Sequence, residues 1–127
     1  MVFPMTSSTG TPVASAAAPV TKTSGRISTA SASYQTAAIW TVTAGKVGNL
    51  TTAVFMVDQS TVAQWEFTRT DADGTVTTYF TDRLIQAAIA FAWPDNQLAS
   101  GTILTIRVKS DGATTIAADA FLTGTEK

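Results

Sequence analysis

The sequence predicts an all-β fold: an antiparallel β-sandwich or jelly roll of about seven strands, preceded by an extended N-terminal arm. Three observations predict it. Short stretches alternate apolar and polar residues with a period of two, and turn-forming residues separate them. Charged residues make up only 13% of the chain, about half the usual share, so Ser and Thr must solvate much of the surface. β-branched Thr suits a pleated, half-exposed sheet. Finally, composition changes near Ala37: before it Ser, Thr and Ala dominate, three of the four prolines occur, and Lys22 and Arg26 are the only charges.

At 127 residues the chain has room for a single core. The expected division is an arm over residues 1–37 and a sandwich over residues 38–127. The arm carries too little apolar surface to offset the ordering of its backbone, which costs about 1–2 kcal/mol per residue. Alone in solution it is expected to be disordered. Its isolated large residues, Phe3, Val13, Val20, Ile27 and Tyr34, are spaced as anchors that could each enter a groove on a partner. They are the expected partner-binding residues.

The elements follow in order. Ile39-Trp40-Thr41-Val42 reads as a short strand closed at Gly45, where glycine supplies the positive φ of a tight turn. Val47 to Gln59 is apolar on both faces around Val54-Phe55-Met56-Val57, which predicts a central strand. Thr61 to Thr70 sets Ala63, Trp65 and Phe67 on one face and Gln64, Glu66 and Thr68 on the other. Asp71-Ala72-Asp73-Gly74 is a hairpin turn between alternating runs, and Thr75 to Thr81 pairs back. Ile85 to Trp93 is expected to be mainly strand, although Leu84, Ile85, Ala88 and Ile89 also recur at helical spacing. Trp93-Pro94-Asp95-Asn96 ends it, because proline cannot donate to a ladder. Thr102 to Lys109 places Leu104, Ile106 and Val108 inward and Arg107 and Lys109 outward; Ser110-Asp111-Gly112 turns, and Ala113 to Thr123 returns.

Composition also bounds the chemistry. A net charge of −1 offers no clustered basic surface for nucleic acid. The absence of Cys and His removes disulfides, thiolate and imidazole metal sites, and the commonest acid-base residue near neutral pH. No apolar window is long enough for a membrane span, and no leader is expected. Asp71-Ala72-Asp73-Gly74 resembles the start of a calcium loop but lacks the downstream Glu, so a turn is expected and no metal. Asn49-Leu50-Thr51 matches a glycosylation sequon inside a predicted strand, where it is read as chance. Most acids lie in turns, and no Ser or Thr has a base beside it. The chain is expected to be no enzyme and to use no cofactor. Trp65 belongs to the inward face of its strand; exposed, coplanar Trp40 and Trp93 would instead mark a carbohydrate-binding module.

Ile39-Trp40-Thr41-Val42-Thr43-Ala44-Gly45-Lys46 resembles the "Tyr-Thr-Val-Pro-Ala-Gly-Lys" opening of small β-sandwich virion proteins of tailed bacteriophages. Asn96 to Ile106 is similar to their later "Leu-x-x-Gly-Asp-x-Leu-x-Val" segment. Thr43 stands where that pattern often has Pro, and Thr102 where it often has Asp. The resemblance implies a capsid decoration or cement protein. Such a protein would be made in the host cytoplasm, sit on the capsid exterior as a homotrimer, and contact the major capsid protein and neighbouring copies. A tail, neck or fibre component is the nearest rival.

Overall fold

The structure is a computed structural model, and it describes residues 17–23, 25–91 and 97–127. The chain forms β1 (Ala18–Lys22), β2 (Ile27–Thr29), β3 (Gln35–Thr41), β4 (Gly48–Val57), β5 (Gln64–Thr70), β6 (Val76–Arg83), β7 (Ala87–Ala90), β8 (Gln97–Leu98), β9 (Ile103–Lys109) and β10 (Ile116–Glu126). They build two sheets. One runs β1-β10-β4-β7, with β2 also on β10 and β8 also on β4; the other runs β3-β9-β5-β6. Every pairing is antiparallel. From β3 to β5, and again from β6 to β10, the chain passes back and forth between sheets. The four-strand paths of the six-stranded and the four-stranded sheet, wrapped in this order, are the jelly-roll arrangement.

Period-two patterning decides which side chains meet in the middle. From one sheet come Leu50, Ala53 and Phe55 of β4 and Ile116, Ala118, Ala120 and Leu122 of β10; from the other come Trp40, Trp65, Phe67, Leu104, Ile106 and Val108, all at most 1% exposed. Phe55 contacts Trp65 and Phe67 across the layers, with ring centroids 5.3 and 6.0 Å apart in edge-on geometry, the arrangement the ring quadrupole favours.

The Asp71–Gly74 turn forms as expected: Asp71 and Gly74 donate through their amides to the Thr75 and Asp71 carbonyls at 2.8 Å each, with Gly74 at φ +91°. β6 pairs back on β5 with two interruptions of register. One leaves Tyr79 opposite no residue; the other falls at Asp82, a non-glycine residue at φ +54°.

Three expectations need correction. β4 is central, between β10 and β7, yet it is not buried on both faces: Val54 is half-buried and Met56 41% exposed, because no described residues cover that sheet from outside. Among the described residues of Ile85 to Trp93, only Ala87–Ala90 is strand; Ala92 and Trp93 lie outside the described residues. Of the stretch before residue 37, residues 18–22 and 27–29 pair with their own domain as β1 and β2. Backbone pairing along β10 supplies what the sparse side chains do not, and Gln35 already begins β3.

Candidate functional site

The polar side chains that come together do so on the outer face of the β3-β9-β5-β6 sheet. Outward positions on neighbouring strands are directly opposed, as Glu66 of β5 is to Arg107 of β9. Those two form an ion pair, and Thr81 donates to the other Glu66 oxygen at 3.2 Å. Beside them Lys109 Nζ lies 3.1 Å from Asp82 Oδ1. Tyr34 spans the group. Its hydroxyl donates to Asp82 Oδ1 at 2.6 Å and accepts from the Asp82 amide at 2.9 Å. Its ring lies 4.6 Å from Lys109 Nζ and 5.6 Å from the Arg107 guanidinium carbon, within cation-π reach.

The left-handed backbone at Asp82 is what lets its amide and its carboxylate both reach one hydroxyl. The Tyr34 and Lys109 hydrogen bonds hold the Asp82 carboxyl below its ordinary range, and the Asp82 carboxylate raises Lys109. Tyr34 is itself raised, first by burial and then by its bond to Asp82. The charges in this group are therefore matched to one another. The arrangement ties the segment entering β3 to the far strand β6 across β9 and β5, as a clasp.

At the side of the sandwich formed by β6 and β7, apolar surface faces outward. β7 has four residues against eight in β6, so it cannot cover β6, and Phe80 is the only residue of β6 that is even half-buried. Val76 is 60%, Leu84 53% and Tyr79 41% exposed. Tyr79 stacks at 4.8 Å on Phe67 and at 6.4 Å on Phe91, extending the core aromatics to the surface.

The other end of the sandwich is closed by Trp40. Its ring lies over Gly48 and Gly124, where an added Cβ would meet it at 3.3 and 2.9 Å. Its Nε1 donates to Glu126 Oε2 at 2.8 Å, and Thr43 N donates to the same oxygen at 3.2 Å. Burial pushes the Glu126 carboxyl up, but the Trp40 and Thr43 bonds outweigh it and hold the group below its ordinary value. Nearby, a groove of about 460 Å³ is lined by Val47, Gly48, Asn49, Gln97, Thr125 and Lys127. It collects no set of titratable groups.

Of the expected partner anchors, Phe3 and Val13 lie outside the described residues. Val20 and Ile27 are half-buried against the chain's own core, and Tyr34 belongs to the clasp. Among the described residues, the structure does not bring Val20, Ile27 and Tyr34 together. Trp40 is fully buried and Trp65 likewise, so a flat pair of Trp40 and Trp93 for sugars is not available. Asp71 is engaged by Arg69 at 2.9 Å, and no cluster of three or more metal-ligating side chains occurs among the described residues. Asn49 of the sequon sits within β4, half-buried, opposite Thr125 and Gln97. Sequence reasoning missed the clasp and Glu126. Outward Glu66 and outward Arg107 and Lys109 were visible, but which strands lie side by side was not.

No family model matches the chain, and no curated protein matches it. Among solved structures, it is similar to a chain from the infectious bursal disease virus Gt strain (14% identity, TM-score 0.47, 96% of this chain covered) and to one from the Gx strain (12%, 0.45, 98%). This chain spans 38% of the length of each.

Proposed function

We propose that this chain is a non-enzymatic virion structural protein, a capsid decoration or cement protein on the capsid exterior. It binds the major capsid protein and neighbouring copies of itself as a homotrimer, and it is made in the host cytoplasm. The observation that carries this reading is the β6–β7 side, where Val76, Tyr79 and Leu84 stand exposed beside half-buried Phe80, Ile85 and Phe91. Apolar surface that continues a core outward marks contact with another protein. Two further features support it. The charged clasp is spent on holding strands, and Phe3 and Val13 precede β1 as isolated large apolar residues among Ser, Thr and Ala. The carbohydrate-binding alternative loses support with the burial of Trp40.

Cosedimentation with shells of the major capsid protein tests the proposal. The full chain is expected to pellet with shells and to run as a trimer in sedimentation velocity. Removal of residues 1–16 is expected to keep the fold and abolish pelleting. A full chain that stays in the supernatant overturns the decoration reading, and immunolabelling confined to tails would move it to the tail.

A further inference from the structure

We infer that β1 and β2 are exchanged between copies: in the assembled protein the outer edge of β10 is covered by residues 18–22 and 27–29 of a second copy of this chain. The inference rests on the assembly reading above and names the surface and the occupant through which copies join.

β10 is eleven residues long, and its inward side chains are completely buried. Its outer edge is held by two short pieces, Ala18 to Lys22 opposite Glu126 to Leu122 and Ile27 to Thr29 opposite Ala118 to Ile116. Their hold is light. Val20 and Ile27 are the apolar side chains that reach the core, both only half-buried, and every other residue of β1 is exposed. The ion pair between Arg26 and Asp119 at 3.1 Å leaves the Arg26 side chain 71% exposed. Between the two pieces Gly25 turns to φ +79°, so the cover does not behave as one continuous strand.

The root of this segment, by contrast, is fixed. Ser110 N donates to the Ser31 carbonyl at 2.7 Å, and Tyr34 is clamped by Asp82. A few residues between β2 and β3 are thus the pivot, and a short hinge between a light strand and a firm anchor favours exchange.

The β6 edge of the opposite sheet behaves differently. β6 carries two irregularities and a charged Asp82-Arg83 end, devices that keep an edge from recruiting strands. The β10 edge is regular on the side that β1 and β2 cover: its pairing with them runs without a shift, and its one irregularity lies against β4 on the other side. Once uncovered, it is a long, regular template. The complement that fits it, in the same register, is present on every other copy, so exchange needs no contact that one copy does not already make. Copies held side by side meet that complement at high effective concentration.

The chain has no cysteine, so an introduced pair reports cleanly. Thr21 and Thr123 are directly opposed, as are Ser28 and Ala117, at the separation a disulfide bridges. In Thr21→Cys/Thr123→Cys, oxidised after assembly, exchange predicts a shift from monomer to covalent oligomer on a non-reducing gel, with peptide mapping giving 21–123 linkages. Ser28→Cys/Ala117→Cys should repeat the result if the first variant folds poorly. A predominant covalently closed monomer, or oligomers joined 21–21 or 123–123, overturns the inference. Shell cosedimentation keeps the two proposals apart: a chain that pellets with shells but closes only within itself overturns exchange alone. One that exchanges but does not pellet overturns the virion reading alone.

Discussion

At the scale of single residues, the chain uses its few charges to fasten strands. Tyr34→Phe keeps the ring over Lys109 but removes both hydroxyl bonds to Asp82. Because the group is partly exposed, the expected loss is at the low end for a hydrogen bond, about 0.5–1 kcal/mol, read from the urea midpoint. The folded-state carboxyl of Asp82 titrates below its ordinary value. The unfolded chain therefore takes up the proton first as pH falls, and this contribution is complete above about pH 4 and lost below it. Asp111 and Glu126 are depressed in the same direction, so the native protein should lose stability as pH falls from about 5 to about 3. Asp82→Asn, which tolerates the left-handed backbone, should show a smaller drop across that interval in paired urea titrations. An equal drop would mean that the clasp is not held by the ionised carboxylate. None of this was legible from the order of residues alone. Tyr34 looked like an unattached anchor because its partner lies 48 positions away, whereas the turn role of Asp111 was legible, since its carboxylate bonds amides two and three residues on.

At the scale of elements, legibility followed periodicity. β5 and β9 matched their alternating patterns residue for residue on the inward face, because a strand with one buried face must repeat at two. β1 and β2 were invisible for the opposite reason. They bury almost nothing, and backbone pairing to β10, which leaves no mark on side-chain choice, fixes them. β7 was overextended because alanines carry little pattern. Two elements approach closely at Gly124, where β10 shifts register against β4. A Cβ there would fall on the Asn49 carbonyl oxygen and within 2.9 Å of Trp40 Cη2. Gly124→Ala should therefore destabilise by about 2–3 kcal/mol, the upper part of the range for overpacking, with a change in Trp40 fluorescence. A cost below about 0.5 kcal/mol would show that the two strands can part there without loss.

At the scale of the whole molecule, the fold class was legible and the occupancy of its edges was not. Seven or so strands with regular turns imply two packed sheets, but strand order depends on which distant stretches meet. That order also sets a sequence of events. β5 and β6 are the one pair of consecutive strands that bond to each other; β4 finds its neighbour β10 only after five further strands have been made, and β1 waits longer still. Such non-local pairing implies slow folding, on the order of milliseconds to seconds. The hairpin that closes at Asp71–Gly74 is then the natural nucleus. Gly74→Ala, which forces a side chain into φ +91°, should slow refolding by about as much as it destabilises. An effect confined to faster unfolding would place the nucleus elsewhere. Seen from the ribosome, the half-made protein is a lone hairpin trailed by apolar stretches whose partners do not yet exist. The nascent chain is thus most in need of protection in the interval before β9 and β10 emerge, and its scarcity of charge makes that interval the stage at which aggregation competes with folding.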